Sequence, residues 1–320
     1  MDGATNNGFP ADADGVMTWQ AYDETVNTWY RVVGELDDTG RSGDNGGRAP
    51  LVVLHGGPGA THDYLLALAD LASVAGSERA VVFYDQVGNG RSTHLPSRGA
   101  EFWTVELFVR ELHALVDALG IAGRHHVLGQ SWGGFLAQEY ALTQPPGLRS
   151  LVLADTAASF PDFVAEANRL RKQLPPEVEA TLRWHEANGT TDDPAYEQAC
   201  EVFYRRHVCR LDPWPPELVE GFAWIGRDPT VYRTMNGPSE FHVIGSIKDW
   251  SVRDRLGEIG VPTLLVSGRY DEATPALQRM LLDGIPDCEW TLFEASSHCP
   301  HVEERARYVD VVSRWLRRQD

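Results

Sequence analysis

Short runs of apolar residues recur along the first half of the chain and alternate with stretches of helical character. The runs are Leu51-Val52-Val53-Leu54, Ala80-Val81-Val82-Phe83-Tyr84, His126-Val127-Leu128 and Leu151-Val152-Leu153, and between them lie residues 63–75, 104–119 and 132–142. Strands that are apolar at every position are covered on both faces, and a right-handed crossover lays a helix on the sheet after each one. The pattern therefore predicts a mostly parallel sheet in an α/β architecture. Upstream, residues 16–21 and 28–36 carry strand-like residues around a polar turn and predict an opening hairpin. The first 16 residues, rich in Gly, Asn, Asp and Ala, read as a frayed lead, and 37–48 (DDTGRSGDNGGR) as a polar, glycine-rich loop.

The rhythm changes after residue 156. Phe163, Ala167 and Leu170 fall at i, i+4 and i+7, and later helical stretches break at Pro175-Pro176 and between Pro213 and Pro216. The βα pattern resumes with a strand at 263–266, a helix near 275–283, a strand near 290–293 and a closing amphipathic helix over 303–317. The expectation is an α/β core formed by residues 1–156 and 257–320, interrupted by a helical cap over residues 157–256.

Composition narrows the partners. With 28 Lys and Arg against 46 Asp and Glu, the 320-residue chain has a formal charge of −18, which repels phosphate backbones and anionic lipid heads. Nucleic acid and membrane surfaces are excluded as expected partners, and small cationic ligands are favoured. Four cysteines without a CxxC pair read as reduced structural thiols. No apolar run approaches the ~18 residues of a membrane span and the start has no signal-peptide pattern, so a cytoplasmic location is expected.

One segment carries the chemistry. The run ending at Leu128 leads into Gly129-Gln130-Ser131-Trp132-Gly133-Gly134 and a helical pattern, the strand, turn and helix context of a G-x-S-x-G nucleophile elbow. Ser131 is the candidate nucleophile. His55-Gly56-Gly57-Pro58-Gly59 follows the first parallel strand, where such a fold places its second oxyanion donor, so the N–H groups of Gly57 and Trp132 are the candidate oxyanion hole. The acid and base should follow in the order Ser, Asp, His. Asp271 lies just past the strand at 263–266, whereas Asp283 and Asp287 read as helix-end and turn residues. His298 lies just past the next strand and is favoured over His301, which begins the final helix. The His125-His126 pair reads as structural. No HExxH, dinucleotide or Walker pattern is present, so no metal or cofactor is expected.

Six ordered segments, HGGPG at 55–59, DQVGNGRS at 85–92, GQSWGG at 129–134, MNGPSEF at 235–241, YDEATP at 270–275 and SSHCPHVEE at 296–304, resemble the proline iminopeptidase family, and within it the branch of L-amino-acid amidases (L-proline amide hydrolases) and tricorn-interacting aminopeptidases. The resemblance runs from about residue 17 onward. It implies an α/β-hydrolase fold with Ser131, Asp271 and His298 as triad, and two carboxylates, Glu240 and Glu272, that bind the free α-amino group of the substrate. It implies cleavage of the amide after an N-terminal L-amino acid, proline or another small residue, in an amino-acid amide or short peptide. The elbow reads GQSWGG where strict prolyl enzymes have GGSWGS. A carboxylesterase or other small-molecule hydrolase on the same scaffold is the alternative reading.

Overall fold

The computed structural model describes residues 13–36 and 47–320, so most of the polar loop expected at 37–48 lies outside the described residues. The expected hairpin is present, with β1 (Ala13–Ala21) antiparallel to β2 (Glu24–Val33) and Tyr22 at φ 53° in the turn. It starts earlier than the composition suggested. Ala13 already pairs with Val32, so only residues 1–12 of the expected frayed lead lie outside the described chain.

The remaining strands are β3 (Leu51–Leu54), β4 (Val81–Tyr84), β5 (His125–Gln130), β6 (Leu148–Ala154), β7 (Thr263–Gly268) and β8 (Cys288–Phe293). Together the eight form one sheet in the order β1-β2-β4-β3-β5-β6-β7-β8, antiparallel as far as β4 and parallel from there on. Side chains alternate across a strand, so the apolar runs feed two cores at once. Val52, Leu54, Val82 and Val127 join a cluster with Leu107, Phe108, Leu112 and Leu136, which lie on α1 (Val105–Ala118) and α2 (Trp132–Leu142). Leu51, Val53, Val81 and Leu128 face the opposite side, among Leu65, Leu68, Val312 and Trp315. Thr104 caps α1 by accepting the Leu107 N–H.

The helix expected at 63–75 is a 3-10 helix over His62–Ala72 that is buried almost all round. It packs against β4 and against the helical stretches Pro216–Arg227 and Arg305–Gln319, so tertiary contacts rather than an amphipathic period set its geometry.

Between β6 and β7 the chain is helical: α3 (Phe160–Arg171), α4 (Pro176–Asn188), α5 (Pro194–His207), α6 (Pro216–Arg227) and α7 (Thr230–Met235). Proline stands at the start of α4, α5 and α6, where its missing N–H costs no hydrogen bond. These helices have a small core of their own, including Ala167, Leu182, Tyr196, Phe203 and Phe241. The chain returns through β7, α8 (Pro275–Gly284), β8, α9 (Pro300–Glu303) and α10 (Arg305–Gln319), so the single closing helix expected at 303–317 is two, broken at Glu304. No helix among the described residues is long and apolar enough to cross a membrane.

Buried Arg171 ties three parts of the helical segment together. Its guanidinium reaches Glu179 at 2.6 Å and Glu186 at 2.7 Å and lies 5.0 Å from the ring centroid of Phe241, the neighbour of Glu240. Replacing it leaves two partly buried carboxylates unpaired, so Arg171→Ala is expected to cost about 3 kcal/mol of stability in denaturant titration. A loss below about 1 kcal/mol, the scale of an exposed pair, would contradict that role.

Candidate active site

The parallel strands end on one side of the sheet, and their carboxyl ends build the site. At the end of β5, Ser131 turns the chain into α2 with φ 56° and ψ −124°, a strained conformation for a residue with a Cβ. The turn is tight because backbone approaches backbone. A Cβ on Gly129 would lie 2.0 Å from the Gly133 carbonyl oxygen, and one on Gly133 would lie 2.1 Å from that of Leu54. Glycine at both positions is therefore a steric requirement of the elbow. Ser131 N–H donates to Ala154 O at 2.9 Å and its carbonyl accepts from Thr156 Oγ1 at 2.9 Å, which locks the strained residue from both sides.

Asp271 follows β7 and His298 follows β8. The structure brings them together, with His298 Nδ1 2.7 Å from Asp271 Oδ1, which also accepts the Ala273 N–H at 2.8 Å. Both side chains are buried. Asp283 and Asp287 are exposed, and His301 is engaged elsewhere, its Nε2 donating to Tyr64 O at 3.0 Å while burial lowers its pKa to about 3. His125 and His126 are likewise structural, bonded to Tyr140 and Ser150.

Four tethers hold the site's segments in register. Tyr64 OH accepts the Gly56 N–H at 2.7 Å and donates to Gln130 Oε1, and Gln130 Nε2 donates to the His298 carbonyl at 2.9 Å. Gln130, which with Gly134 is where the elbow departs from GGSWGS, is thus the residue that links it to the histidine loop. Gln86 does the same for the oxyanion segments: its Nε2 donates to His55 O at 2.9 Å and its Oε1 accepts the Trp132 Nε1–H at 2.9 Å. His207, at the end of α5, carries the helical segment to the same place, donating from Nδ1 to Tyr270 O at 2.8 Å and accepting the His298 N–H at 3.1 Å through its carbonyl. The N–H groups of Gly57 and Trp132 have no acceptor among the described residues.

A cavity of about 270 Å³ opens between the strand ends and the helical segment. Gly57, Gln130, Ser131 and His298 line its floor, and Tyr204, Trp214, Phe222, Tyr232 and Glu240 its walls. Glu240 accepts from Tyr232 OH at 2.6 Å. Glu272 is buried, with Oε1 3.8 Å from His298 Nε2 and no hydrogen-bond donor at Oε2. Burial raises both carboxyls, and for Glu272 the charges of Glu240 and Asp271 add to it while His298 opposes. Burial works to lower the pKa of His298, but Asp271, Glu272 and Glu240 outweigh it and raise the imidazole to about 9. The unperturbed value near ~6.5 that a histidine base brings from its sequence alone does not hold here.

Two groups of side chains have the spacing of a metal site. His62, Asp63 and Asp85 converge, but Arg91 already supplies the cation, its NH1 lying 3.0 Å from Asp63 and 3.2 Å from Asp85. Asp155, Asp271 and His298 form the other, and there His298 Nδ1 is already engaged with Asp271 Oδ1. Asp155, Gln86, Gln130 and Tyr64 were not singled out from sequence. For Asp155 the available signal was an aspartate directly after an apolar strand, the position from which side chains reach the carboxyl edge of a parallel sheet.

The sequence model of the α/β-hydrolase fold matches residues 49–305. The chain is 37% identical over 294 residues to the proline iminopeptidase of Lactobacillus delbrueckii subsp. lactis, covering 92% of this chain and 95% of that one. Among solved structures it resembles VinJ, with 49% identity, a TM-score of 0.90 and coverage of 97% and 100%, and the proline iminopeptidase of Mycobacterium smegmatis, with 45% identity, a TM-score of 0.83 and coverage of 95% and 98%. A likeness of that extent goes beyond a shared scaffold, and the chain belongs to the α/β-hydrolase fold and, within it, to the proline iminopeptidase family.

Proposed function

We propose that this enzyme is a serine aminopeptidase or amidase that removes a free N-terminal L-amino acid, proline or another small residue, from an amino-acid amide or short peptide. The observation that carries the reading is the pair of carboxylates beside the reacting groups. Glu240 lines the same cavity as Ser131, and Glu272 is buried with one oxygen that has no donor. Acidic groups held this far from water call for a cation, and a free N-terminal amine, protonated at neutral pH, is one; the relatives are named proline iminopeptidases. An esterase has no use for such a pair. The helical segment over 157–256 acts as the cap that carries Glu240 and the apolar walls.

In this mechanism the substrate's ammonium sits between Glu240 and Glu272 and its carbonyl oxygen faces the N–H groups of Gly57 and Trp132. His298 Nε2 takes the Ser131 proton as Oγ bonds to the carbonyl carbon. The negative charge that develops on oxygen is held by the two N–H donors, each worth about 3 kcal/mol. The tetrahedral intermediate collapses, the leaving amine takes the proton from His298, and an acyl-enzyme remains. Water then gives a proton to His298 and its oxygen to the acyl carbon, and Ser131 leaves with the proton.

The raised His298 adds a condition. The acidic groups around His298 favour its imidazolium form, which cannot accept a proton, in the free site. A bound ammonium offsets the share of Glu272 and Glu240, leaves that of Asp271, and so shifts the imidazole toward its neutral form. The amine therefore favours the chemistry as well as the binding.

Three outcomes are expected. Ser131→Ala is expected to lower kcat by roughly 10⁴-fold or more with an unchanged fold, and retention of a tenth of the activity would refute the nucleophile. N-acetylprolinamide, which has no cation, is expected to be turned over at least about 100-fold more slowly in kcat/KM than prolinamide, on the scale of one charge-assisted contact. Equal values would favour the esterase reading. Because the base must lose its proton, activity rises with pH, and the acid limb of kcat/KM, which reports the free enzyme, should lie above that of kcat by about one pH unit or more. Coincident limbs near ~6.5 would contradict compensation by the substrate.

A further inference from the structure

The carboxyl of Asp155 is a group that the mechanism leaves unused. It stands directly after β6 at φ 51°, a left-handed conformation that a residue with a Cβ rarely adopts, and it is fully buried. Its N–H donates to Val266 O at 2.9 Å and its Oδ1 accepts the Gly268 N–H at 3.2 Å, so β7 holds it in place at two points. A carboxylate oxygen of Asp155 lies within 4.8 Å of one of Asp271 and of a ring nitrogen of His298. Yet Asp155 Oδ2 and Asp271 Oδ2 are each buried without a donor. Two carboxylates this close resist being charged together away from water, and one proton shared between them would satisfy both orphaned oxygens.

Which residue carries the proton follows from the donors. Asp271 Oδ1 accepts two hydrogen bonds, from His298 Nδ1 at 2.7 Å and from Ala273 N–H at 2.8 Å, whereas Asp155 accepts a single longer one. We infer that Asp155 is a neutral carboxylic acid that donates its proton to Oδ2 of Asp271 and so fixes the carboxylate that orients His298. The inference rests on the triad reading above and makes Asp155 a positioning residue, since it reaches the reacting atoms only through Asp271.

The surroundings agree. Burial raises Asp155 well above the ordinary carboxylate range, the charge of Asp271 and the hydrogen bond to it add to the effect, and the Gly268 N–H opposes. The other titratable groups that face it are Glu303, Tyr64, Cys299 and Tyr308, together with His298 across Asp271. None of the first four supplies a positive charge that would favour an ionised Asp155.

Asparagine and alanine separate a donor from a charge. The amide of Asp155→Asn keeps an N–H for Asp271 and an oxygen for Gly268, so it should retain kcat within about 3-fold of wild type and leave the pH limbs in place. Asp155→Ala removes the donor, and kcat should fall about 10- to 100-fold, the scale of a hydrogen bond to a charged group, at little change in KM. Its acid limb should move to higher pH, because an Asp271 carboxylate with one donor fewer holds the His298 proton more strongly. The infrared difference spectrum of wild type minus Asp155→Asn at neutral pH should show the carbonyl stretch of a protonated carboxylic acid, a readout that survives even if the alanine variant fails to fold. An asparagine variant as impaired as the alanine one, or absence of the protonated band, would overturn the inference. Asp271→Asn run in parallel distinguishes the two failures. If it stays active, the triad reading falls and this inference with it; if it is inactive while Asp155→Ala matches wild type, only the role of Asp155 falls.

Discussion

A histidine surrounded by buried acid is the constraint on which the rest of the site depends. His298 has Asp271 at 2.7 Å from one ring nitrogen and Glu272 at 3.8 Å from the other, with Glu240 close enough to help raise its pKa to about 9. Burial opposes that charge, so the protonation of the imidazole and of the carboxylates around it is set jointly. Asp155 belongs to the same balance. An ionised Asp155 would place one more negative charge against Asp271, whereas a neutral one supplies the donor that Asp271 lacks.

Keeping so many charged groups in contact demands a rigid frame, and the fold supplies it at the carboxyl ends of its parallel strands. Ser131, Asp155, Asp271 and His298 each follow a different strand, from β5 to β8. None of those loops is left to itself. Tyr64 and Gln130 join the loop after β3 to the elbow and to the His298 carbonyl, and Gln86 joins the loop after β3 to Trp132. Hydrogen bonds of this kind are short, buried and mutually supporting, so they define positions to fractions of an ångström where apolar packing alone would leave slack. The helical segment is tied in at His207, and within it Arg171 steadies the stretch that carries Glu240.

Much of this was legible in the sequence, for physical reasons that vary with the element. Strands β3 to β7 are buried at nearly every position because both faces are covered, and the apolar runs within them made the parallel sheet readable. The elbow was readable because its glycines are required sterically: Gly129 and Gly133 touch backbone where a Cβ cannot fit. The pairing of Asp271 with His298 followed from chain order and strand ends. The 3-10 helix at His62–Ala72 was read as an ordinary helix because its geometry comes from packing on all sides. Gln86, Gln130 and Asp155 were passed over because a buried hydrogen-bonding side chain looks like any polar residue until its partners, which lie up to 168 positions away in the case of Gln130 and His298, are placed beside it. The shift of the His298 pKa was invisible for the same reason, since the acidic groups that set it come from two loops remote from it in sequence, one after β7 and one after α7.

The central claim is that a ligand's ammonium group completes the charge balance around His298, and histidine NMR tests it without any turnover. In the Ser131→Ala protein the His298 ring should titrate well above the unperturbed value near ~6.5, and saturating prolinamide should lower its pKa by about one unit or more. N-acetylprolinamide, at concentrations that also occupy the site, should leave it unchanged. A ring that titrates near ~6.5 in the free protein, or one that responds identically to the two ligands, would contradict the account.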